Sequence, residues 1–408
     1  MRVPLSKPDI GDREVEYVTQ VLRSGRLSLG PRLREFEEKF ANFVGTRYAV
    51  ATSSGTSALH ACIRALGIGP QDEVITTPFS FVASTNCILY EGATPVFLDI
   101  DPLTLNIDPK QLRRFLRHCC GLDSRRGALI DKASGRIVKA ILPVHVFGLP
   151  CDMDPIMELA QQYGLSVIED ACEALGADYR GRRIGTFGDA AVFAFYPNKQ
   201  ITTGEGGMIV TDSEEIAQLC RSLRNQGRDE GSSWLRHDRL GFNYRMSDLH
   251  AALGLAQLER VAELLEAREY AASIYARALG GNSSIHIPAA FEGFNRSWFV
   301  YVVQLNLAAP RTPRERLLSG LRESGIECQA YFPAIHKQSY LAGKARIPLG
   351  PLFRAEAASD RCFALPFFPG ITAKEIQFVA DRLSNLLEGG LVLMSHGNRP
   401  LDLAADRQ

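Results

Sequence analysis

Across the first two thirds of the chain, short apolar runs alternate with stretches of helical spacing, and nothing else in the sequence limits the fold so strongly. The string "YAVATSSGTSALHACIRAL" reads as a strand, a Ser/Gly/Thr turn and a helix. The runs "DEVITTPFSF", "TPVFLDID", "IVKAILPVHVFG", "LSVIEDAC" and "AAVFAFY" each close in polar or glycine punctuation, and helical patterns such as "MDPIMELAQQYG" lie between several of them. That order predicts an α/β fold with a mostly parallel sheet covered by helices on both faces.

The pattern changes at "YRMSDLHAALGLAQLERVAELLEAREYAASIYARAL". Ser247 is placed as an N-cap, and Leu249, Ala252, Leu253, Ala256 and Leu264 form an apolar helical stripe. Beyond it, "WFVYVVQLNL" and "ECQAYFP" read as strands and "PRERLLSGLRESG" as a helix. The expected division is an N-terminal arm and large domain over residues 1–259, a smaller α+β C-terminal domain over 260–388, and a flexible tail over 389–408.

Composition narrows the function classes. The 46 basic and 46 acidic residues balance, which leaves no basic footprint for nucleic acid or an anionic membrane. The start "MRVPLSKPDIGDREVEYV" lacks the apolar core of a signal peptide, and no run approaches the length of a membrane span. Nine scattered cysteines without a CxxC pair suggest reduced thiols and a cytoplasmic protein. The eight histidines show no ligand spacing, so no metal site is expected.

In open α/β sheets chemistry collects where strands end, and four strand ends carry unusual residues. In "ATSSGTSALH", Gly55 allows a tight turn, and Thr56 and Ser57 open a helix whose free N–H groups could hold a phosphate; an ordinary N-cap would look the same. Asp170 closes an apolar strand, where it could pair with a cationic ring nitrogen or cap a helix. Lys199 follows "AAVFAFYPN"; desolvated there it could attack carbonyls, or it could snorkel to water. Phe81 could stack on a flat ligand or pack in the core. Each is ambiguous alone. Together, a phosphate turn, an aromatic, an acid and a lysine on successive strand ends are the set that pyridoxal 5′-phosphate (PLP) requires.

At the level of whole motifs the chain resembles the DegT/StrS family of PLP-dependent sugar aminotransferases, including its perosamine-synthase branch. The motifs are "SSGTSALH", "TPFSFVAS", "GATPVFLDIDPLTLNID", "PVHVFGLPCDMDPI", "VIEDACEALGADYRGRRIGTFGDAAVFAF", "KQITTGEGGMIVTD" and "GFNYRMSDLHAALGLAQL". The resemblance implies the fold type I, aspartate aminotransferase-like architecture. It implies that Lys199 forms the Schiff base with the cofactor and later moves the substrate proton, and that Asp170 pairs with the pyridinium nitrogen. Phe81 would stack on the ring, and Gly55, Thr56 and Ser57 would hold the phosphate. Glu173 would lie near the ring oxygen, and Asn243 would reach the cofactor of a neighbouring subunit in a homodimer with shared active sites. His336, in "YFPAIH", would lie near the sugar.

The implied reaction takes an amino group from an amino-acid donor, L-glutamate, to a nucleotide-linked keto-sugar, of 4-keto-6-deoxy type, in polysaccharide, O-antigen or natural-product sugar synthesis. A 3-keto sugar or a cyclitol ketone is the alternative substrate. A PLP-dependent sugar dehydratase would carry His in place of Lys199, and a non-catalytic PLP sensor is the remaining alternative. Two positions depart from the family pattern: Ala194 stands where relatives have a phosphate-binding serine, and Gln329 where perosamine-type relatives have arginine.

Overall fold

The computed structural model describes residues 1–233, 235–306 and 313–395, with side chains up to residue 388. The large sheet takes strands β1 (Tyr48–Thr52), β2 (Asp72–Thr76), β3 (Thr94–Phe97), β4 (Cys120–Asp123), β5 (Ala128–Asp131), β6 (Ile137–Leu142) and β7 (Ser166–Asp170). Two short strands, β8 (Asp178–Tyr179) and β9 (Arg182–Arg183), precede β10 (Ala190–Ala194) and β11 (Gly207–Thr211). The central order is β1-β11-β10-β7-β6-β2-β3, and the β4–β5 hairpin pairs onto β6.

From β10 through β7, β6 and β2 to β3 every pairing is parallel. Within the central order β11 alone runs the other way, antiparallel to both β10 and β1, and off that order β5 is antiparallel to β6. Two reversals restore the direction, so β1 is codirectional with the rest and the C-terminal ends of β1, β2, β6, β7 and β10 share one edge. The charged stretch "DSRRGALIDKASGR" holds the turn and second strand of the β4–β5 hairpin, which joins the sheet at β6.

Strand alternation builds a core on each face. Ala49, Ala51, Ile75, Ile141, Val167, Ala191, Phe193 and Met208 point into one buried cluster. Their neighbours Val50, Val74, Ala140, Leu142, Ile168, Ala190, Val192 and Ile209 point into the other. These strands are apolar along their length because helices cover both faces.

The expected long helix is two, Asp248–Glu259 and Val261–Leu279, which meet at Arg260. Ser247 caps the first, its Oγ accepting the His250 N–H at 3.3 Å. A smaller sheet follows, with β12 (Ile285–His286), β14 (Tyr301–Leu305), β15 (Gln329–Ala330) and β16 (Cys362–Leu365) in the order β12-β14-β16-β15. The remaining strand, β13 (Phe294–Asn295), pairs back to β8, tying the later part of the chain to the earlier.

The N-terminus does not sit wholly with the large sheet. Val3 is fully buried in the smaller core, bridged in parallel to Ile326, with its N–H on the Gly325 carbonyl at 2.9 Å. The last helix runs from Ala373 to Ser395, past the point where a tail was expected; residues 396–408 of that expected tail lie outside the described residues. Among the described residues no helix is long and apolar enough to cross a membrane.

Candidate active site

The shared C-terminal edge of the large sheet opens into a cavity of about 490 Å³. It is lined by Gly55 and Thr56 after β1, Phe81 after β2, Val144 after β6, Asp170 and Glu173 at the end of β7, and Lys199 after β10. The topology therefore gathers residues that are 144 positions apart in the chain, from 55 to 199.

Lys199 is held by its backbone, and its tip meets one acid and one aromatic ring. Its N–H closes a turn on the Tyr196 carbonyl at 2.9 Å, and its carbonyl accepts Nη2 of the buried Arg268 at 2.7 Å. Nη1 of that guanidinium reaches the Phe299 carbonyl at 3.1 Å, so one arginine fastens the lysine loop to the segment before β14. The lysine side chain is 14% exposed; its Nζ lies 4.2 Å from the centre of the Phe299 ring and 3.5 Å from Glu173 Oε1.

Two acids face that amine. Asp170 Oδ1 accepts the Cys172 N–H at 3.2 Å. Burial pushes the Asp170 carboxyl above its ordinary range, against the pull of that hydrogen bond and of the Lys199 charge. Glu173 Oε2 accepts the Phe147 N–H at 2.8 Å. Burial pushes this carboxyl up as well, with Lys199 the strongest opposing influence. Glu169, one residue before Asp170, faces away from the cavity. Its carboxylate takes the N–H groups of Gly185, Phe187 and Gly188 and lies 3.3 Å from His145 Nε2. Burial would raise the Glu169 carboxyl, but His145 and these N–H groups together hold it below its ordinary range. His145 Nδ1 accepts the Cys151 N–H at 2.9 Å, which leaves Nε2 to carry a hydrogen toward Glu169. Both residues are structural.

The anion end differs in detail from the expectation. The N-cap is Ser54, and the helix starts at Gly55 and runs to Ala65. Ser57 does not line the cavity. Its Oγ donates to the Ser54 carbonyl at 2.8 Å and accepts the Ser54 N–H at 3.0 Å, so its hydroxyl closes a capping box. Ser54, Gly55 and Thr56 are the residues of this turn that border the cavity, with the first N–H groups of the helix at their open end. Gly55 is required for closeness rather than for a turn: a Cβ there would lie 2.7 Å from Ala194 Cβ and 3.0 Å from Cys172 Sγ.

Phe81 lines the cavity but is 61% exposed, so its ring is not a core residue. Asn243 is exposed and bridges to Asn225, outside the cavity of its own chain. His336 is not brought to the cavity: Nε2 lies 3.1 Å from Glu356 Oε1, and the ring sits near Phe97. An ion-pair partner on the helix Phe353–Arg361 claims it, which its position in "YFPAIH" could not reveal. Gln329 lies on β15, where its Oε1 accepts from Arg322 at 3.1 Å.

Other lining residues were not foreseen. Cys172, Tyr196, Asn198 and Glu205 sit inside strings already singled out, and proximity to Asp170 and Lys199 was the available signal. Phe299, Tyr331 and Phe332 come from the smaller sheet's segments and carried no local signal for this site.

These residues fit PLP. Gly55 packs too closely on Ala194 and Cys172 to carry a side chain, an open helix end lies at the cavity, and a buried acid, an aromatic and a buried amine line the remaining wall.

Similarity to known proteins agrees with this geometry. The family model described as the DegT/DnrJ/EryC1/StrS aminotransferase family matches residues 8–384. GDP-perosamine synthase of Caulobacter vibrioides is 39% identical over 389 residues, covering 95% of this chain and 98% of that protein. The spore coat polysaccharide biosynthesis protein SpsC of Bacillus subtilis is 36% identical over 397 residues, covering 95% and 97%. Among solved structures, DesI in the presence of its TDP-sugar product superposes with a TM-score of 0.84 at 30% identity, covering 97% of this chain and 95% of that one.

Proposed function

This chain belongs to the DegT/DnrJ/EryC1/StrS aminotransferase family, and from that membership we propose that it moves an amino group from L-glutamate to a nucleotide-linked 4-keto-6-deoxy sugar. It is a sugar aminotransferase of fold type I with PLP as its cofactor. The observation that carries the amino-transfer chemistry is the meeting of Lys199, Asp170 and Glu173 at one cavity on the sheet's C-terminal edge, and the finer reading of the substrate rests on the relative named GDP-perosamine synthase.

PLP, when bound, supplies an aldehyde that condenses with amines and a ring that accepts the electrons released at the neighbouring carbon. Lys199 is the group that would hold it covalently and carry the proton to and from the substrate carbon; its tip is near-buried and free of any strong donor or acceptor except Glu173. Asp170 would hold the ring nitrogen's proton; burial disfavours its unpaired charge, and a cationic ring nitrogen would offset that. Thr56 and Gly55 would bind the phosphate at the helix end, with Ser57 acting through the cap it builds. Phe81 would cover one face of the ring and Glu173 would border its oxygen.

A homodimer with shared sites is part of the same proposal. Among the described residues, Lys199 is the single cation lining a cavity that also contains Asp170, Glu173 and Glu205, whereas a cofactor phosphate and a sugar diphosphate both require positive or N–H partners. Asn243, exposed and outside its own cavity, would serve the partner's. We also assign residues 1–259 and 260–388 to two domains, which the two separate sheets support, with Val3 added to the smaller one. A cytoplasmic setting is supported by nine cysteines that are all unpaired, seven of them buried.

The relative named GDP-perosamine synthase favours a GDP-linked sugar, and the resemblance to the perosamine-synthase branch is the basis for carbon 4. The test is 2-oxoglutarate release from glutamate with a panel of GDP-, UDP- and TDP-linked 3-keto and 4-keto sugars and a cyclitol ketone. Turnover is expected with the GDP-linked 4-keto-6-deoxy sugar. Turnover confined to a 3-keto sugar or the cyclitol would replace the proposed substrate, and dehydration without amino transfer would replace the reaction.

A further inference from the structure

We propose that Glu173 is the counter-ion of Lys199, a positioning residue that holds the proton on the lysine amine whenever that amine is free. The inference rests on the function proposed above and adds a residue that controls its central proton.

The geometry is specific to this acid. Glu173 Oε1 lies 3.5 Å from Lys199 Nζ, while Oε2 is fixed by the Phe147 N–H at 2.8 Å. The backbone behind it is fixed too, because the Gln200 amide donates to the Glu173 carbonyl at 2.6 Å and to Ser297 Oγ at 3.0 Å. Gln200 follows Lys199 directly, so the lysine loop and its counter-ion are tied together by main chain and side chain. Asp170 makes no ion pair with Lys199 among the described residues; its Oδ1 is turned to the Cys172 N–H. The other groups facing Lys199 are Tyr196 from its own loop, Glu205 from the glycine-rich turn, Cys172 from the turn after β7 and Tyr331 from beyond β15. Phe299 offers a ring face, and Arg268 reaches only the lysine carbonyl. Glu173 is thus the one carboxylate placed directly at the amine.

The consequence is chemical. Were Lys199 to take a proton from a substrate carbon, a C–H bond would break, an N–H bond would form, the electron pair left on carbon would pass to the ring that PLP supplies when bound, and the amine would become an ammonium. The Glu173 carboxylate stabilises that ammonium until the proton is returned. An opposite charge at this separation changes a titration midpoint by about 1–3 pH units. Removing the carboxylate makes the ammonium less stable and so leaves more of the amine free to react.

The test follows the acetylation rate of Lys199 against pH in the full chain freed of cofactor, read by peptide mass spectrometry. In Glu173→Gln the acetylation rate at a fixed, mildly acidic pH is expected to rise roughly tenfold. Glu173→Asp keeps the charge and is expected to stay within about threefold of wild type. An equal rise in both variants, or none in either, overturns the proposal. The reciprocal measurement leaves position 173 unchanged: Lys199→Met must raise the Glu173 carboxyl midpoint in difference infrared titration, and no rise also overturns it. PLP binding by the wild-type protein is read separately by absorbance. Failure there would remove the proposed function while the Lys199 acetylation rates still decide the counter-ion, so the two failures are distinguishable.

Discussion

Two places in the molecule bury two carboxylates around one cation, and they do different things. At the C-terminal edge of the large sheet, Asp170 and Glu173 face Lys199 across a cavity. Near its opposite edge, Glu73 and Asp131, both with fully buried side chains, face Arg346. There the guanidinium lies 2.8 Å from Asp131 Oδ2 and 3.5 Å from Glu73 Oε1. Its backbone extends the sheet: Phe97 donates to the Arg346 carbonyl at 2.8 Å, and the Arg346 N–H reaches the Pro95 carbonyl at 2.9 Å. A planar, permanently charged fork sits between two acids and pins a loop to β3. The other trio has a flexible primary amine, an aromatic face and open volume. Each trio has one cation and two acids, so what separates a fastener from a reaction centre is whether the cation can lose its proton and whether a ligand can reach it.

The largest effect that could break this contrast is at the lysine. Lys199→Ala is expected to lower amino transfer by at least about 10³-fold while leaving the thermal midpoint within a few degrees of wild type. Retained turnover, followed by 2-oxoglutarate release, would end the distinction between the two trios.

Arg346→Leu should do the reverse. It leaves two buried carboxylates without their cation and is expected to cost about 3–5 kcal/mol in denaturant unfolding, with kcat changed less than about twofold in the protein that remains folded. A loss of kcat without a loss of stability would show that this trio also serves the reaction.

The same trio predicts a pH dependence. Burial pushes the Glu73 carboxyl up to about 7, helped by the Asp131 charge and opposed by the Ser134 hydroxyl, Arg346 and Arg136. In the unfolded chain it titrates near its ordinary 4.5. Between these values the folded protein binds the extra proton, so this contribution to stability is lost as pH rises from about 4.5 to about 7. Glu73→Gln removes that loss and is expected to gain up to about 3 kcal/mol at pH 7.5, with little change at pH 4.5. Equal effects at both pH values, measured by urea unfolding, would contradict the assignment.

The smallest change sharpens the anion end of the cavity. Ser54→Ala removes the cap of the helix Gly55–Ala65 and should cost about 1 kcal/mol of stability, with a several-fold weaker hold on PLP in absorbance titrations. Lost stability with unchanged PLP affinity would confine Ser54 to capping.

Much of this was legible beforehand because it depends on local pattern. Asp170 and Lys199 stand at the ends of apolar runs, and the alternation of strands with helices already implies that such ends share an edge. Gly55 and Thr56 follow from the same pattern. Other features turned on contacts that local strings do not encode. The hydroxyl of Ser57 went to the Ser54 backbone because the helix starts one residue earlier than read. His336 turned to Glu356, a partner 20 positions away. Phe299, Tyr331 and Phe332 reached the cavity only because the smaller sheet packs against the larger, and Arg268 clamped the lysine loop from a helix read only as apolar.

By itself, then, the sequence determined the α/β class, the strand ends that matter and the residue types able to serve PLP, because period and punctuation act over a few residues. Tertiary structure decided which acid stands beside the amine, which serine borders the cavity and which histidine stays out of it. Those outcomes depend on ångström-scale approach between distant segments, where burial and a neighbouring charge set each group's behaviour.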